Sequence, residues 1–307
     1  MHNIGLSQIS RRFLDSAMTS PTSAEAHKDL VYDIGMHKGE DTDYYLKKGF
    51  RVIGFEADPA LIEYCKRRFL EAIERGRLII VEGAIVEQQS DETAGRTVKF
   101  YRNLENSVWG TINDTWARRN ERLGTHNQIV EVKAIDFTEC LEKYGIPYYM
   151  KIDIEGSSTI CLKSLLGFEL KPSYISVESE KVIFERLREE LSLLERLGYD
   201  KLKAVQQENV NYQVEPASSG EGAYVGHAFQ QGSSGLFGKD LPGIWKSEGQ
   251  ILKEYKIIFT LYRSFGDDSL LNRFFIGRLF MRVLKRVLGR PLPGWYDTHA
   301  RHSSVAS

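Results

Sequence analysis

The stretch VYDIGMHKGEDT (31–42) combines an acid with two glycines at the end of an apolar run. Asp33, Gly35 and Gly39 form the spacing D-x-G-x-x-x-G, which is typical of a turn between a buried strand and a helix. Glycine allows positive φ and a close approach of the backbone to a ligand. Taken alone, this spacing is compatible with a nucleotide-binding turn and with a plain strand that ends in a loop.

A second stretch, MKIDIEGSS (150–158), ends an apolar run in Asp153 and Glu155. Two carboxylates at the end of a buried strand cost free energy unless they bind a partner or a ligand. They are our first candidates for a general base, or for residues that position a substrate. The alternative is that Asp153 and Ser157 cap the helix that follows.

A third acid stands at the distance that an adenosine cofactor requires. Glu56 ends the next apolar run, about 20 residues after the glycine turn, where a carboxylate can accept both ribose hydroxyls. The dinucleotide fingerprint G-x-G-x-x-G has a middle glycine where this chain has His37. Asp33 would repel a pyrophosphate, but it suits the sulfonium and ammonium groups of S-adenosylmethionine. The pattern therefore favours S-adenosylmethionine over NAD.

These acids can meet only if the runs that precede them are neighbouring strands of one sheet. Apolar runs alternate with segments of helical periodicity, which predicts a parallel sheet covered on both faces. In such a sheet, ligands bind beyond the carboxyl ends of the strands. The main predicted strands are 29–35, 51–59, 77–85, 147–156 and 173–179, and strands near 208–214 and 223–230 complete the sheet.

The middle of the chain has a different pattern. Residues 97–103 and 128–136 alternate apolar and polar positions, which predicts an inserted antiparallel strand pair. Between them lies an irregular aromatic segment with Asn106, Ser107 and Trp109. We interpret this segment as an acceptor-binding loop, with a surface loop whose tryptophans pack on the core as the alternative.

Composition divides the chain into an N-terminal extension (1–28), an α/β domain (29–230) and a C-terminal extension (231–307). In the last part, 269–289 has the pattern of a basic amphipathic helix and 291–300 that of a turn-rich tail. The helix suits a peripheral contact with a membrane surface. It also suits packing on its own domain or on a second subunit of a homo-oligomer.

Bulk composition argues against several classes of function. The 307 residues carry a formal charge of -1 at pH 7, so no basic field indicates a nucleic-acid partner. The three cysteines form no C-x-x-C pair, and no His, Asp or Glu cluster has metal-ligand spacing. No apolar run reaches the roughly 20 residues of a membrane span. We expect a cytoplasmic protein without a metal.

Together, DIGMHKGEDT, FEAD and MKIDIEGSS resemble the FkbM family of S-adenosylmethionine-dependent methyltransferases. The resemblance covers roughly residues 30–230, and K-I-D-I-E-G is its most specific block. It implies a Rossmann-like class I methyltransferase fold, with a doubly wound, mostly parallel seven-stranded α/β sheet. It also implies O-methylation of a hydroxyl group, often on a sugar, a glycan or a secondary metabolite.

The resemblance assigns roles to individual positions. The chain departs from the family pattern at His37, which replaces an Asn, at Ala57, which replaces a Pro, and at Ser158, which replaces an acid. Carried over by position, the cofactor contacts fall on Asp33, Gly35, His37, Gly39, Thr42, Glu56 and Asp153, and Asp153 would face the methyl group.

Position in the predicted sheet adds further candidates. Gly83 and Ala84 follow the third strand and are expected to border the adenine ring. Glu178 ends the strand SYISVES and is a catalytic candidate after Asp153 and Glu155. The alternative for Glu178 is an ion pair with Lys181.

Three functions are compatible with the sequence. We favour an S-adenosylmethionine-dependent methyltransferase that acts on a small-molecule or glycan acceptor. A NAD(P)-dependent oxidoreductase on a related sheet is the second, and the missing middle glycine counts against it. The third is a non-catalytic, membrane-associated binding protein that keeps the fold without turnover.

Overall fold

The computed structural model describes residues 24–87, 95–154, 156–180, 183–230, 232–265 and 295–306, and they form an α/β structure. Its strands are β1 (Ala26–Ile34), β2 (Arg51–Glu56), β3 (Leu78–Glu82), β4 (Ala84–Val86), β5 (Thr97–Asn103), β6 (Asn127–Asp136), β7 (Ile146–Ile152), β8 (Tyr174–Glu178), β9 (Tyr199–Gln206) and β10 (Tyr296–His302). Its α-helices are α1 (Glu40–Lys47), α2 (Pro59–Arg68), α3 (Leu70–Glu74), α4 (Asp114–Arg122), α5 (Phe137–Tyr144), α6 (Ser158–Ser164), α7 (Phe184–Arg196) and α8 (Glu248–Phe265).

The larger sheet has the strand order β3-β2-β1-β7-β8-β10-β9. β10 runs antiparallel to both of its neighbours, and the pairs among the first five strands are parallel. The predicted mostly parallel seven-stranded sheet is therefore confirmed. The strands that follow β1 in the chain, β2 and β3, lie on one side of it. The strand that follows β7, β8, lies on the opposite side, so the switch point lies between β1 and β7. Ligands of open α/β sheets bind at this point.

Alternating residues of β1 enter the cores on the two faces of the sheet. Leu30, Tyr32 and Ile34 pack in one core with residues of α5, α6, α7 and α8. Val31 packs in the other core with residues of α1 and α2. Because successive side chains of a strand point to opposite faces, a run that is buried throughout requires cover on both sides.

The smaller sheet has the order β4-β6-β5. β5 and β6 pair antiparallel along Thr97–Asn103, which confirms the inserted strand pair. β4 joins β6 in parallel and begins one residue after Gly83, so it connects this sheet directly to the end of β3. The insertion therefore stands beside the carboxyl edge of the larger sheet.

Two sequence predictions about strands are wrong. Residues 208–214 and 223–230 are not strands, because Gln207–Tyr212 forms a 3-10 helix and no regular element occupies 223–230. The predicted turn-rich tail over 291–300 instead contributes β10 to the sheet. Its buried positions include Asp297, Thr298 and His299, so the strand lacks the apolar periodicity on which the prediction depended. The sheet thus takes a strand from beyond the predicted domain limit at residue 230.

A buried ion pair network attaches the segment after β9 to the core. The Lys48 side chain, at the end of α1, is fully buried. Its Nζ lies 2.5 Å from Glu215 Oε1 and 3.2 Å from Asp240 Oδ2, and it donates to Ser219 Oγ at 2.8 Å. This network holds Glu215, Ser219 and Asp240 against the face of the sheet that carries α1.

The predicted basic amphipathic helix over 269–289 and most of the N-terminal extension lie outside the described residues. Among the helices that the structure describes, none has the length and apolar character that crossing a membrane requires.

Candidate functional site

The turn after β1 packs against the end of β7 without room for a side chain. Gly35 has a φ of 80°, and a Cβ atom there would lie 1.9 Å from the carbonyl oxygen of Asp153. Gly39 has a φ of 78°, and a Cβ atom there would lie 2.3 Å from the Phe69 ring. Both glycines of D-x-G-x-x-x-G are therefore required by backbone conformation and by close packing.

His37 joins this turn to the aromatic insertion. Its φ is 51°, and it is the non-glycine residue of the described chain with positive φ. Its N–H donates to Glu56 Oε2 at 2.9 Å. Its imidazole lies 3.2 Å from Glu40 Oε1 and 2.8 Å from Ser107 Oγ. The residue that replaces the family's Asn thus links the first turn, the end of β2 and the insertion.

Glu56 is buried at the end of β2 with backbone donors around it. Oε1 accepts hydrogen bonds from the N–H groups of Ala57 and Asp58, both at 2.8 Å, and Oε2 accepts the one from His37. Burial raises the pKa of Glu56 to about 7, although these three hydrogen bonds act in the opposite direction. A carboxylate offers about four lone-pair positions, so Glu56 keeps capacity to accept a hydroxyl from a ligand.

Lys151 is the buried cation around which three carboxylates gather. Its Nζ lies 3.1 Å from Asp33 Oδ1, 3.4 Å from Asp41 Oδ2 and 3.6 Å from Asp153 Oδ2. It also donates to the carbonyl oxygen of Gly35 at 3.1 Å. Burial lowers the pKa of Lys151, but the Asp33, Asp153 and Asp41 carboxylates outweigh it and hold the pKa well above its ordinary value. Lys151 therefore stays charged.

A first cleft opens at the switch point between β1 and β7. Of the predicted site residues, those that line it are Gly35, His37, Glu56, Gly83, Ala84, Ser107 and Asp153. Asp33 and Thr42 are absent from its wall. Both are fully buried, and the Thr42 hydroxyl donates to Asp33 Oδ2 at 2.6 Å. A direct contact of either with a cofactor stays a prediction, and the same holds for Gly39, which precedes α1.

A second cleft adjoins the first and shares Val108, Asp153 and Gly232 with it. Its predicted members are Asn106, Trp109, Asp153 and Glu178. Residues that the sequence did not indicate also line it, among them Glu208, Trp295 and Asp297. Asp153 therefore stands where two ligands, one in each cleft, would meet.

The predicted C-terminal extension contributes Gly232 to both clefts, and it also contacts α1. The N–H of Ser234 donates to both carboxylate oxygens of Asp41 at 3.0 Å. Burial raises the pKa of Asp41 to about 6, against the attraction of Lys151 and with the repulsion of Asp33. Asp41 resembles an ordinary acid in the first turn of a helix, so no local pattern indicates its contacts with Lys151 and Ser234.

The sequence signal for Lys151 is its place inside an apolar run. A lysine within the apolar run MKIDI is costly unless it is paired, and the acids of D-x-G and I-D-I were its available partners.

The predicted catalytic candidate Glu155 lies outside the described residues. The alternative was that Ser157 caps α6, but the Ser157 side chain makes no capping hydrogen bond at that helix.

The comparison with protein-family models agrees with the resemblance in the sequence. The family model described as "Methyltransferase FkbM domain" matches residues 33–201, which is more than half of the chain. No curated protein matches the chain. Among solved structures, a SAM-dependent methyltransferase from Archaeoglobus fulgidus has 12% identity and a TM-score of 0.35, with 96% of this chain and 91% of that chain covered.

A second solved structure is a SAM-dependent methyltransferase from Geobacter sulfurreducens in complex with S-adenosyl-L-homocysteine. It has 12% identity and a TM-score of 0.34, and the alignment covers 91% of this chain and 86% of that chain.

Proposed function

The chain belongs to the FkbM methyltransferase family, and we propose that it transfers the methyl group of S-adenosylmethionine to a hydroxyl group of a small-molecule or glycan acceptor. The observation that carries the proposal is the position of Asp153, which lines both clefts. A group transfer requires two ligands whose reacting atoms meet, and Asp153 stands at their junction.

The first cleft fits S-adenosylmethionine, the cofactor of this family. Glu56 keeps acceptor capacity for a ribose hydroxyl, and Gly83 and Ala84 provide an apolar border at the end of β3 for the adenine ring. Lys151 faces the carboxylates of Asp33, Asp41 and Asp153. The excess of negative charge favours a ligand with a sulfonium and an ammonium group over a pyrophosphate.

Asp153 is the group that we assign to the proton of the acceptor. When bound, the cofactor supplies a methyl group whose carbon–sulfur bond breaks, with its electron pair passing to sulfur, as the carbon–oxygen bond to the acceptor forms. Asp153 accepts the hydroxyl proton during this displacement. A free hydroxyl has a high pKa, so removing its proton as the new bond forms lowers the barrier, typically by a factor of about 10²–10⁴.

The test is transfer of isotope-labelled methyl from S-adenosylmethionine to a panel of sugars, polyols, amines and thiols. We expect label on an oxygen atom, located by mass spectrometry, and a loss of about 10²–10⁴ in kcat for Asp153→Asn, with S-adenosylhomocysteine still bound. Label on nitrogen or sulfur alone would overturn the proposal. Cofactor binding without transfer to any acceptor would favour the non-catalytic alternative.

A further inference from the structure

Three carboxyl groups form a row across neighbouring strands at the carboxyl edge of the larger sheet. Ile152 pairs with Val177 across β7 and β8, so Asp153 comes next to Glu178. Asp297 of β10 pairs directly with Glu178. All three residues line the second cleft. Since neighbouring strands lie about 4.8 Å apart, the backbones of the two outer residues are separated by roughly 10 Å.

Asp297 is the member of this row whose burial calls for an explanation. It is only 5% exposed, and it borders the second cleft. Among the residues that the structure describes, none donates a hydrogen bond to its carboxyl group. A buried carboxyl without a partner is costly, and its place on the wall of a cleft indicates that the partner belongs to a ligand.

We propose that Asp297 is an acceptor-binding residue, which donates a hydrogen bond to an oxygen of the acceptor other than the one that is methylated. This inference rests on the proposed function and narrows its substrate class, because it requires an acceptor with at least two oxygen atoms on separate positions. A polyhydroxylated compound meets the requirement, and a simple mono-alcohol does not.

Two oxygens are required because Asp153 and Asp297 have opposite effects on an oxygen atom. A hydrogen bond donated by Asp297 to the oxygen that attacks the methyl group would hold one of its lone pairs and lower its nucleophilicity, and Glu178 stands between the two outer residues of the row. Asp153 accepts a proton from one oxygen, and Asp297 therefore meets a second oxygen on another part of the acceptor.

The donor role requires that Asp297 keeps its proton at neutral pH. Burial raises the pKa of Asp297 well above its ordinary value, the carboxylates of Asp153 and Glu178 raise it further, and Lys151 lowers it in part. The titratable and charged groups that face Asp297 are Tyr149 and Lys151 of β7, Asp153 directly after β7, Glu178 of β8, Asp41 of α1, Glu190 of α7, Tyr255 of α8, and Glu208 across the cleft.

The protonation state can be measured without an acceptor. Carbon-13 NMR of protein labelled at the aspartate carboxyl carbons, with S-adenosylhomocysteine added, would show one resonance that disappears in Asp297→Asn. We expect that resonance at the position of a protonated carboxyl at neutral pH. A resonance at the ionised position would overturn the proposal, whatever acceptor the enzyme uses.

The binding role is tested with a hydroxyl acceptor from the methyl-transfer panel. In Asp297→Leu we expect KM for the acceptor to rise about tenfold, with affinity for S-adenosylhomocysteine retained. Asp297→Asn keeps a donor, so its KM should rise less. The wild-type KM should increase at alkaline pH, where Asp297 loses its proton, and this increase should be absent in the Asn variant.

Asp200→Asn is the matched control, because Asp200 is an exposed residue of the neighbouring strand β9. Its KM should equal that of the wild type at every pH. If Asp297→Leu does not fold, the pH dependence in Asp297→Asn decides. O-methylation with an unchanged KM in both variants would overturn this inference and leave the proposed function intact. Binding of S-adenosylhomocysteine without O-methylation would instead contradict the proposed function.

Discussion

At the scale of single residues, Lys151 and Glu56 determine what the first cleft can hold. Lys151 neutralises only part of the charge of Asp33, Asp41 and Asp153, so a cation is preferred there. The Glu56 carboxylate accepts hydrogen bonds from N–H groups of the turns after β1 and β2. The sequence indicated Glu56 because its distance from the glycine turn is characteristic, whereas the partners of Lys151 depend on contacts between β1, α1 and β7.

We expect Glu56→Gln to weaken binding of S-adenosylhomocysteine by about 1–3 kcal/mol, since it removes an ionised hydrogen-bond acceptor from the cleft. Glu82→Gln is the control. Glu82 pairs with Glu56 across β2 and β3, but its side chain is half exposed and pairs with Lys66. Isothermal titration calorimetry measures both, and equal affinities in the two variants would remove Glu56 from the cofactor site.

The raised pKa of Glu56 predicts how cofactor affinity depends on pH. Its folded pKa of about 7 lies above the ordinary value of 4.5, so ionising Glu56 costs stability as pH rises between these values. A ribose hydroxyl that donates to Glu56 favours the ionised form. Affinity for S-adenosylhomocysteine should therefore increase as pH rises through about 7 in the wild type, and it should increase less in Glu56→Gln. Calorimetric titrations at several pH values measure this dependence. If Glu56 does not bind the ribose, affinity for S-adenosylhomocysteine should change with pH to the same extent in the wild type and in Glu56→Gln.

At the scale of elements, the strand and turn pattern of β1, β2 and β7 was visible in the sequence, because their apolar runs and glycines are local signals. The position of β10 was not. Its residues Asp297, Thr298 and His299 are polar and yet buried, since pairing with β8 and β9 satisfies the backbone on both sides. No local pattern distinguishes such a strand from a loop.

The turn after β1 should tolerate no side chain at Gly35. A Cβ atom in Gly35→Ala would meet the carbonyl oxygen of Asp153 at 1.9 Å, whereas Gly49→Ala, also at positive φ, meets no atom within 4 Å. The control variant bears only the backbone cost of about 1–2 kcal/mol. We expect Gly35→Ala to lose more stability than that in chemical denaturation, and to lose binding of S-adenosylhomocysteine as well. Similar losses in the two variants would show that close packing is not the reason for glycine.

The buried network of Lys48 should contribute far more to stability than its exposed neighbour. Lys48→Met leaves Glu215 and Asp240 buried without their cation, which typically costs about 3–5 kcal/mol. Lys47→Met removes only a partly exposed pair with Asp43, worth about 0–1 kcal/mol. Urea denaturation compares the two variants. A loss below about 1 kcal/mol in Lys48→Met would contradict the assignment of this network as the anchor of Glu215 and Asp240.

At the scale of the whole molecule, the two clefts draw their walls from different parts of the chain. The first is built mainly from residues within the matched segment 33–201. The second also uses Gly232, Trp295 and Asp297, which lie beyond that segment. The cofactor side of the site could therefore be predicted from motifs. The sequence also indicated four residues of the second cleft, but it did not indicate Trp295 and Asp297, because they reach the wall only when the C-terminal strand enters the sheet.

The central claim is that the first cleft binds S-adenosylmethionine. Its most direct test is calorimetric titration of the full chain with S-adenosylhomocysteine and, separately, with NAD. We expect S-adenosylhomocysteine to bind at one site per chain, with a dissociation constant in the micromolar range, and NAD to give no binding heat. Binding of NAD alone, or of neither compound, would contradict the account.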